Sequence, residues 1–373
     1  MRALKLLFVI EHFLPVIGGL ENSTHRLATH LTQLGHQVTL LTTTQTTSEE
    51  DSSISYRVIR QPPLSTCFVH AALASISSSF DASLIFGVGH DPLLCHWRTL
   101  LSAKMPPAYL KVGSDGDLQR DYINESLLRR FAGIFCQTST IESEAKALGV
   151  MPDRIFAISN GMDINRWKSS LPDKSAARAK LGIPLNAFVV IVVARLVRRK
   201  RVDLAIKSWE RLASSCDFAW LLIHGSDFKQ DDGCEDEIIK QSNASPHARR
   251  ILRLLPNLSN AMSFAAADVL LSMSERDGAP NIFVEALATG LPLVATDLPG
   301  HRRYIVDTNN GFIVPHCDEI TAGLRLTELA KSPNIQKDFA AASAARANLF
   351  DIRTTATGYL KVLTRHRSQT TTT

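Results

Sequence analysis

Residues 188–212 read FVVIVVARLVRRKRVDLAIKSWERL. Phe188–Val193 is almost pure Val and Ile, with no polar residue to turn toward water on either side. Branched side chains favour extended backbone, and a run that is apolar on both faces suits a strand covered by helices front and back. Val202–Leu212 then places its apolar residues at helical spacing. Strand, short turn and helix in that order make half of a crossover unit, and crossover units build parallel sheets.

The same alternation continues in both directions. Downstream, Phe218–Ile223, Val269–Ser272, Leu291–Thr296 and Phe312–Val314 read as further strands. Upstream lies a polar, proline-containing break at Trp167–Asp173; Asp173 is placed to cap a helix that stops at Gly182, with Pro184 beyond it. Before the break the pattern occurs once more. Leu6–Ile10, Val38–Leu41, Ile54–Arg60, Leu84–Phe86, Ala108–Val112, Ile134–Cys136 and Arg154–Ile158 are strand-like. Leu27, Ala28, Leu31 and Leu34 mark a helix that Gly35 ends, and Ser139 with Glu142 has capping-box spacing ahead of a helix closed by Gly149. Thr42–Ser55 and the acidic stretch Gln230–Glu237 read as surface loops. The expected organisation is α/β, with two Rossmann-like parallel-sheet domains: 1–168, 169–363, and a polar tail over 364–373 that is expected to be disordered.

The chain has 373 residues, 45% hydrophobic and 21% charged, which is material for a large core and excludes a fibrous or disordered chain. The net charge of +5 is unevenly placed: residues 1–170 carry 15 basic and 15 acidic residues, so the whole excess lies in the second half, where an anionic ligand is the more favoured. No apolar run reaches the ~18 residues of a membrane span, and the first apolar run is too short for a signal peptide. The six cysteines have no CxxC spacing, which excludes a zinc knuckle or redox dithiol and points to a reducing, cytoplasmic setting. No nucleic-acid partner is indicated.

Three segments carry candidate chemistry. Pro15-Val16-Ile17-Gly18-Gly19-Leu20-Glu21 lies between a strand and a helix. Its glycines either let backbone amides approach an anion or merely serve a turn needing positive φ. It is neither GxGxxG nor a P-loop, which disfavours a dehydrogenase or nucleotide kinase. Arg195-Leu196-Val197-Arg198-Arg199-Lys200-Arg201 packs five cations into seven residues at a strand end; an anion there would relieve their repulsion, and Arg195 and Lys200 are the favoured contacts. The plainer alternative is a solvated basic turn. In Ser274–Gly290, Pro280 suits a first helical turn and Gly290 a helix end. Asp277 then lies in the loop before the helix and Glu285 inside it, with the amides near Pro280–Ile282 open to an anion. Here the plainer alternative is a capping acid and an ordinary helical glutamate. Asp115-Gly116-Asp117 is a DxD triplet, a metal–nucleotide signature that also arises by chance. His90 and His96 are the nearest histidine pair of interest, and the twelve histidines otherwise read as satisfied structural groups.

In these segments the chain resembles family 4 of the retaining glycosyltransferases, which have the GT-B fold. The proline-then-diglycine loop, Gly35-His36-Gln37-Val38, Asn160-Gly161-Met162-Asp163, the Arg195-to-Lys200 spacing and the two acids Asp277 and Glu285 separated by seven residues fall in the family's order across nearly the whole chain. The resemblance implies a nucleoside-diphosphate-sugar site between an acceptor-side domain and a nucleotide-sugar domain facing across a cleft. It assigns Arg195 and Lys200 to the diphosphate and Glu285 to the ribose hydroxyls. Asp277, with Gly278, Pro280, Asn281 and Ile282, goes to the donor sugar, and Gly18 and Gly19 to the phosphates. No metal or other cofactor is implied, and the expected reaction is transfer of a sugar to an acceptor hydroxyl. Replacing Lys200 by Ala should abolish it with the fold intact.

The chain departs from the family pattern at several positions. Asp277 stands where many members have Glu, Arg201 where a glycine is usual, and Arg303 where many carry an acid. No histidine follows Ala108–Val112, so Ser114 or Asp115 fills part of that role or the role is dispensable, and no catalytic base is assigned. A relative with other chemistry, such as a nucleotide-sugar epimerase or a glycosyl phosphorylase, and an inactive nucleotide-binding scaffold are the competing readings. The neutral first half, with a local patch at Arg129-Arg130, allows membrane association that is at most peripheral.

Overall fold

The computed structural model of the chain describes residues 2–16, 18–46, 51, 53–60, 79–88, 106–121, 123–227, 233–254 and 260–365. Cys67, Cys95, His90 and His96 lie outside these residues, as does the tail beyond Arg365.

The chain forms two compact units, Met1–Asp163 with Phe350–Thr373, and Ile164–Leu349. In the first, strands β1 (Lys5–Ile10), β2 (Gln37–Thr42), β3 (Arg57–Arg60), β4 (Ala82–Phe86), β5 (Ala108–Lys111), β6 (Gly133–Cys136) and β7 (Ile155–Ala157) form one sheet in the order β3-β2-β1-β4-β5-β6-β7. In the second, β8 (Phe188–Val193), β9 (Ala219–His224), β10 (Ile251–Leu254), β11 (Val269–Ser272), β12 (Leu293–Thr296) and β13 (Gly311–Val314) follow the order β10-β9-β8-β11-β12-β13. Every pairing in both sheets is parallel. Each sheet therefore reverses its order once, beside β1 in the first and β8 in the second. Such switch points open a crevice outside the carboxyl ends of the strands.

The alternation of side chains along a strand divides the first core in two. Leu7, Val9, Leu110 and Ile134 face one cluster; Leu6, Phe8, Ile10, Leu84, Phe86, Tyr109 and Phe135 face the other. The second face is covered by the helix Ile352–Arg365, whose Ala356, Tyr359, Leu360 and Leu363 form one helical stripe, with the Tyr359 ring 4.3 Å from that of Phe135. Gly161 admits this return, because a Cβ there would stand 2.8 Å from the Ile352 Cα. The sequence division at 168/169 is thus replaced by one at Asp163/Ile164, and residues after Leu349 return to the first unit. Thr364 and Arg365, expected in a polar tail, end that helix.

Other local differences have equally local causes. β10 was not anticipated; it is a four-residue edge strand, half exposed, too short for its pattern to stand out. The acidic stretch expected as a loop supplies Glu235–Glu237 to the first turn of the helix Glu235–Ala244, where acids meet the positive helix end. Thr138, not Ser139, caps the helix Ser139–Ala147, accepting from the Ile141 amide. Asp173 caps Lys174–Leu181 and Gly182 ends it in the left-handed region, as the spacing indicates.

Candidate functional site: the switch point of the second sheet

The turn that leaves β8 is laid against the end of β9. Gly225, at φ +150, would place a Cβ 1.8 Å from the Ala194 carbonyl oxygen, so glycine permits the approach, and the Leu196 amide donates to the Ser226 carbonyl at 2.9 Å. The basic run then makes a single tight turn, Arg198–Lys200, before the helix Val202–Ala213. Carboxylates absorb much of its charge. Arg198 is exposed and paired in two bonds with Glu237, at 2.9 and 2.5 Å, and Arg201 pairs with Asp203 at 3.0 Å. The relief that the sequence reading sought from a ligand is in this part internal. Arg195 stands partly buried at the head of the turn. Arg201 is held at φ 46 and ψ 45, which explains why glycine is usual at this place in the family that the sequence resembles.

Lys200 turns inward. Its Nζ lies 2.5 Å from Asp277 Oδ2, with the two side chains 14% and 13% exposed, and the Arg199 carbonyl accepts from the Glu275 amide at 2.8 Å. The loop after β8 and the loop after β11 are therefore bound to each other at the switch point. Burial alone would raise the Asp277 pKa. Lys200 beside it, through its charge and its hydrogen bond, together with the nearby Arg199, outweighs that and holds the carboxyl below its usual range. Lys200 is accordingly more than a ligand contact: it keeps a buried carboxylate neutralised. Its replacement by Ala would strand that charge, so the expectation of an intact fold is corrected to a loss of about 3–5 kcal/mol.

Beyond Asp277, Gly278 and Pro280 lead into the helix Asn281–Thr289, whose N-cap residue Pro280 supplies no side-chain cap and which ends at Gly290 in the left-handed region. Pro280 is the residue before the helix rather than its first residue. Ile282 lies in the first turn. Glu285 is buried one turn in, where the Asn260 amide donates to its Oε2 at 3.3 Å. The Asp277–Gly278 loop rests on a second glycine: a Cβ on Gly300 would stand 1.7 Å from the Gly278 carbonyl oxygen and 2.9 Å from that of Asp277. The structure thus joins Lys200 to Asp277 directly, and places Gly278, Pro280, Asn281, Ile282 and Glu285 on the next loop and helix. Gly300, Asn260, Arg201 and His301 were not singled out as site residues. A glycine just past a strand end is the one signal that could have drawn attention to Gly300.

Gly18 and Gly19 open the helix Gly19–Gln33 after β1, in the first unit. Gly18 is extended, at φ −155, so the explanation by a positive-φ turn does not hold; a Cβ would meet the far end of the flexible Glu21 side chain, 2.1 Å from Oε2, which can turn aside. The DxD triplet is engaged locally. Thr138 donates to Asp115, and Asp117 accepts from the Ser114 amide at 3.0 Å and pairs with Arg120. Among the described residues no helix is long and apolar enough to cross a membrane.

The chain is similar to known proteins over most of its length. Residues 173–346 match the family described as "Glycosyl transferases group 1", and residues 17–166 match "Glycosyltransferase Family 4". A GDP-mannose-dependent monoacylated alpha-(1-6)-phosphatidylinositol monomannoside mannosyltransferase of Corynebacterium glutamicum is 25% identical over 88% of this chain and 89% of its own length. The D-inositol 3-phosphate glycosyltransferase of Streptomyces scabiei is 25% identical over 57% of this chain and 49% of its length. The crystal structure of Anabaena HepE in complex with UDP superposes with a TM-score of 0.82 at 19% identity, over 96% of this chain and 99% of that one. Sucrose-phosphate synthase of Thermosynechococcus elongatus gives 0.79 at 18% identity, over the full length of both. With the two parallel sheets and both matched segments in one chain, this protein belongs to family 4 of the glycosyltransferases and has the GT-B fold.

Proposed function

We propose that the chain transfers a sugar, with retention of configuration and without a metal ion, from a nucleoside diphosphate sugar to an acceptor hydroxyl. The observation that carries this is the Lys200–Asp277 pair, bound at the switch point beside the N-terminus of the helix Asn281–Thr289. Breaking the glycosidic bond puts negative charge on a leaving diphosphate and positive charge on the sugar. Fixed cations and amides stabilise the former; a fixed carboxylate stabilises the latter. In this reading Arg195 and Lys200 hold the diphosphate, and Glu285 takes the ribose hydroxyls. Asp277 meets the donor sugar together with the amides of Gly278, Asn281 and Ile282, the helix entry being set by Pro280. For Gly18 and Gly19 the proposed phosphate contact rests on their loop pattern at the start of a 15-residue helix.

Solved relatives are described in complex with UDP, UDP-glucose, and UDP with GlcNAc, whereas the Corynebacterium relative is described as GDP-mannose-dependent. The test is a thermal-unfolding titration with UDP, GDP, ADP, CMP and inorganic phosphate. A ligand at 100 times its Kd adds about 2.7 kcal/mol. One nucleoside diphosphate is expected to raise the midpoint. Lys200→Ala, measured against its own baseline because its fold is weakened, is expected to lose that shift and to lose transfer. Full retention of both by the variant refutes the assignment.

A further inference from the structure

His301 is buried in the short helix Pro299–Arg302, and its Nδ1 lies 2.7 Å from the carbonyl oxygen of Thr296. A carbonyl only accepts, so the proton belongs on Nδ1 and the neutral ring presents a bare lone pair at Nε2. No donor of the described chain reaches that buried Nε2. A buried acceptor left in this way costs about 1–3 kcal/mol, and its persistence asks for a partner. Burial lowers the ring's affinity for a proton by more than the Asp277 carboxylate raises it, so the ring is neutral and Nε2 remains an acceptor.

The ring's position bears on the site. Gly300 packs on the Asp277–Gly278 loop, the ring lies 4.8 Å from that of Phe283 in the helix Asn281–Thr289, and Asp277 is the foremost charge acting on it. The other buried histidines of known partner differ: His36 Nδ1 takes the Leu4 amide and His224 Nδ1 meets Ser263. We propose that His301 is a specificity-determining residue for the donor, its Nε2 accepting a hydrogen bond from one hydroxyl of the sugar that Asp277 faces. The proposal rests on the donor site described above. The ring is closed off from solvent, so the loop over residues 273–280, which belongs to neither helix nor strand, is required to move when the sugar binds.

The test starts from whichever of UDP-glucose, UDP-N-acetylglucosamine and GDP-mannose the wild-type chain consumes, with the monodeoxy analogues of that donor. Wild type is expected to lose at least about tenfold in kcat/KM at one deoxy position. In His301→Asn, whose amide can still donate to the Thr296 carbonyl but has no atom at Nε2, the penalty at that position should fall below about threefold while the others stand. Unchanged penalties at every position overturn the proposal. Should His301→Asn fail to fold, His301→Gln must alter the penalty at one position and spare the rest; a uniform effect overturns it. Donor consumption with penalties insensitive to position 301 removes this inference alone. A wild type that consumes no donor and binds no nucleoside diphosphate removes the donor site as well.

Discussion

Adding one methyl group at Gly300 should disable this protein without unfolding it. The Cβ of Gly300→Ala would stand 1.7 Å from the Gly278 carbonyl oxygen, where real Cβ contacts stay above 3.0 Å. The obstructing atom is backbone, so no side-chain rotation clears it, and the Asp277–Gly278 loop must move by at least about 1.3 Å. Asp277 moves with it, away from its 2.5 Å contact with Lys200. Overpacking of this kind costs about 1–3 kcal/mol in stability. A displacement of about 1 Å at a reacting centre costs about 10²-fold in rate. The assay pairs urea unfolding with the transfer rate on the donor found by titration. Gly182→Ala serves as the control: it too is strained, at φ +69, but nothing lies within 4 Å of its new Cβ and it sits at the end of a helix outside the site. It should lose about 1 kcal/mol and no activity. Transfer by Gly300→Ala within about threefold of wild type would refute the view that this glycine seats the catalytic loop.

Three further outcomes follow from single residues. Lys111 is fully buried, its Nζ donating to Asn160 at 2.8 Å and Ser23 at 3.2 Å, and burial pushes its pKa down from 10.5 to about 7. Between pH 7 and 10.5 the unfolded chain therefore holds the extra proton, so stability should rise with pH across that window, by up to about 5 kcal/mol relative to Lys111→Met; a pH-independent difference between the two proteins would contradict this. Arg201→Gly should be about 1 kcal/mol more stable than Arg201→Ala, because both lose the Asp203 pair and glycine alone relieves the left-handed backbone; denaturant midpoints decide it, and the reverse order would exclude strain at 201. Tyr359→Ala should cost about 3–5 kcal/mol and speed hydrogen exchange in the first unit, leaving amides of 164–349 as protected as before; equal loosening of both units would contradict the assignment of the last helix.

What could be read from the sequence was whatever is local. Phe188–Val193 announces a buried strand because every residue in it is apolar and branched or aromatic, and Asp173 and Gly182 announce their helix because caps act within one turn. The pairing of Lys200 with Asp277 was legible only as order and spacing, since 77 residues separate them. Illegible were features that depend on what a fold brings near. Nothing local tells whether Tyr359 and Leu360 will cover the first sheet or the second. Arg201 carries no mark of its left-handed backbone. His301 looks like any other scattered histidine until one of its nitrogens is found bonded and the other not.

The return of the last helix to the first sheet also sets an order on synthesis. The face bearing Leu6, Phe8, Leu84 and Phe86 is translated early, while Tyr359, Leu360 and Leu363 emerge only after the whole of 164–349. At about 5–20 residues per second, that apolar face waits on the order of ten seconds or more on the ribosome without its cover. The second unit, continuous in sequence, can complete its core in the meantime. A stop codon late in the message would therefore release not a slightly shortened protein but one folded unit joined to an aggregation-prone sheet.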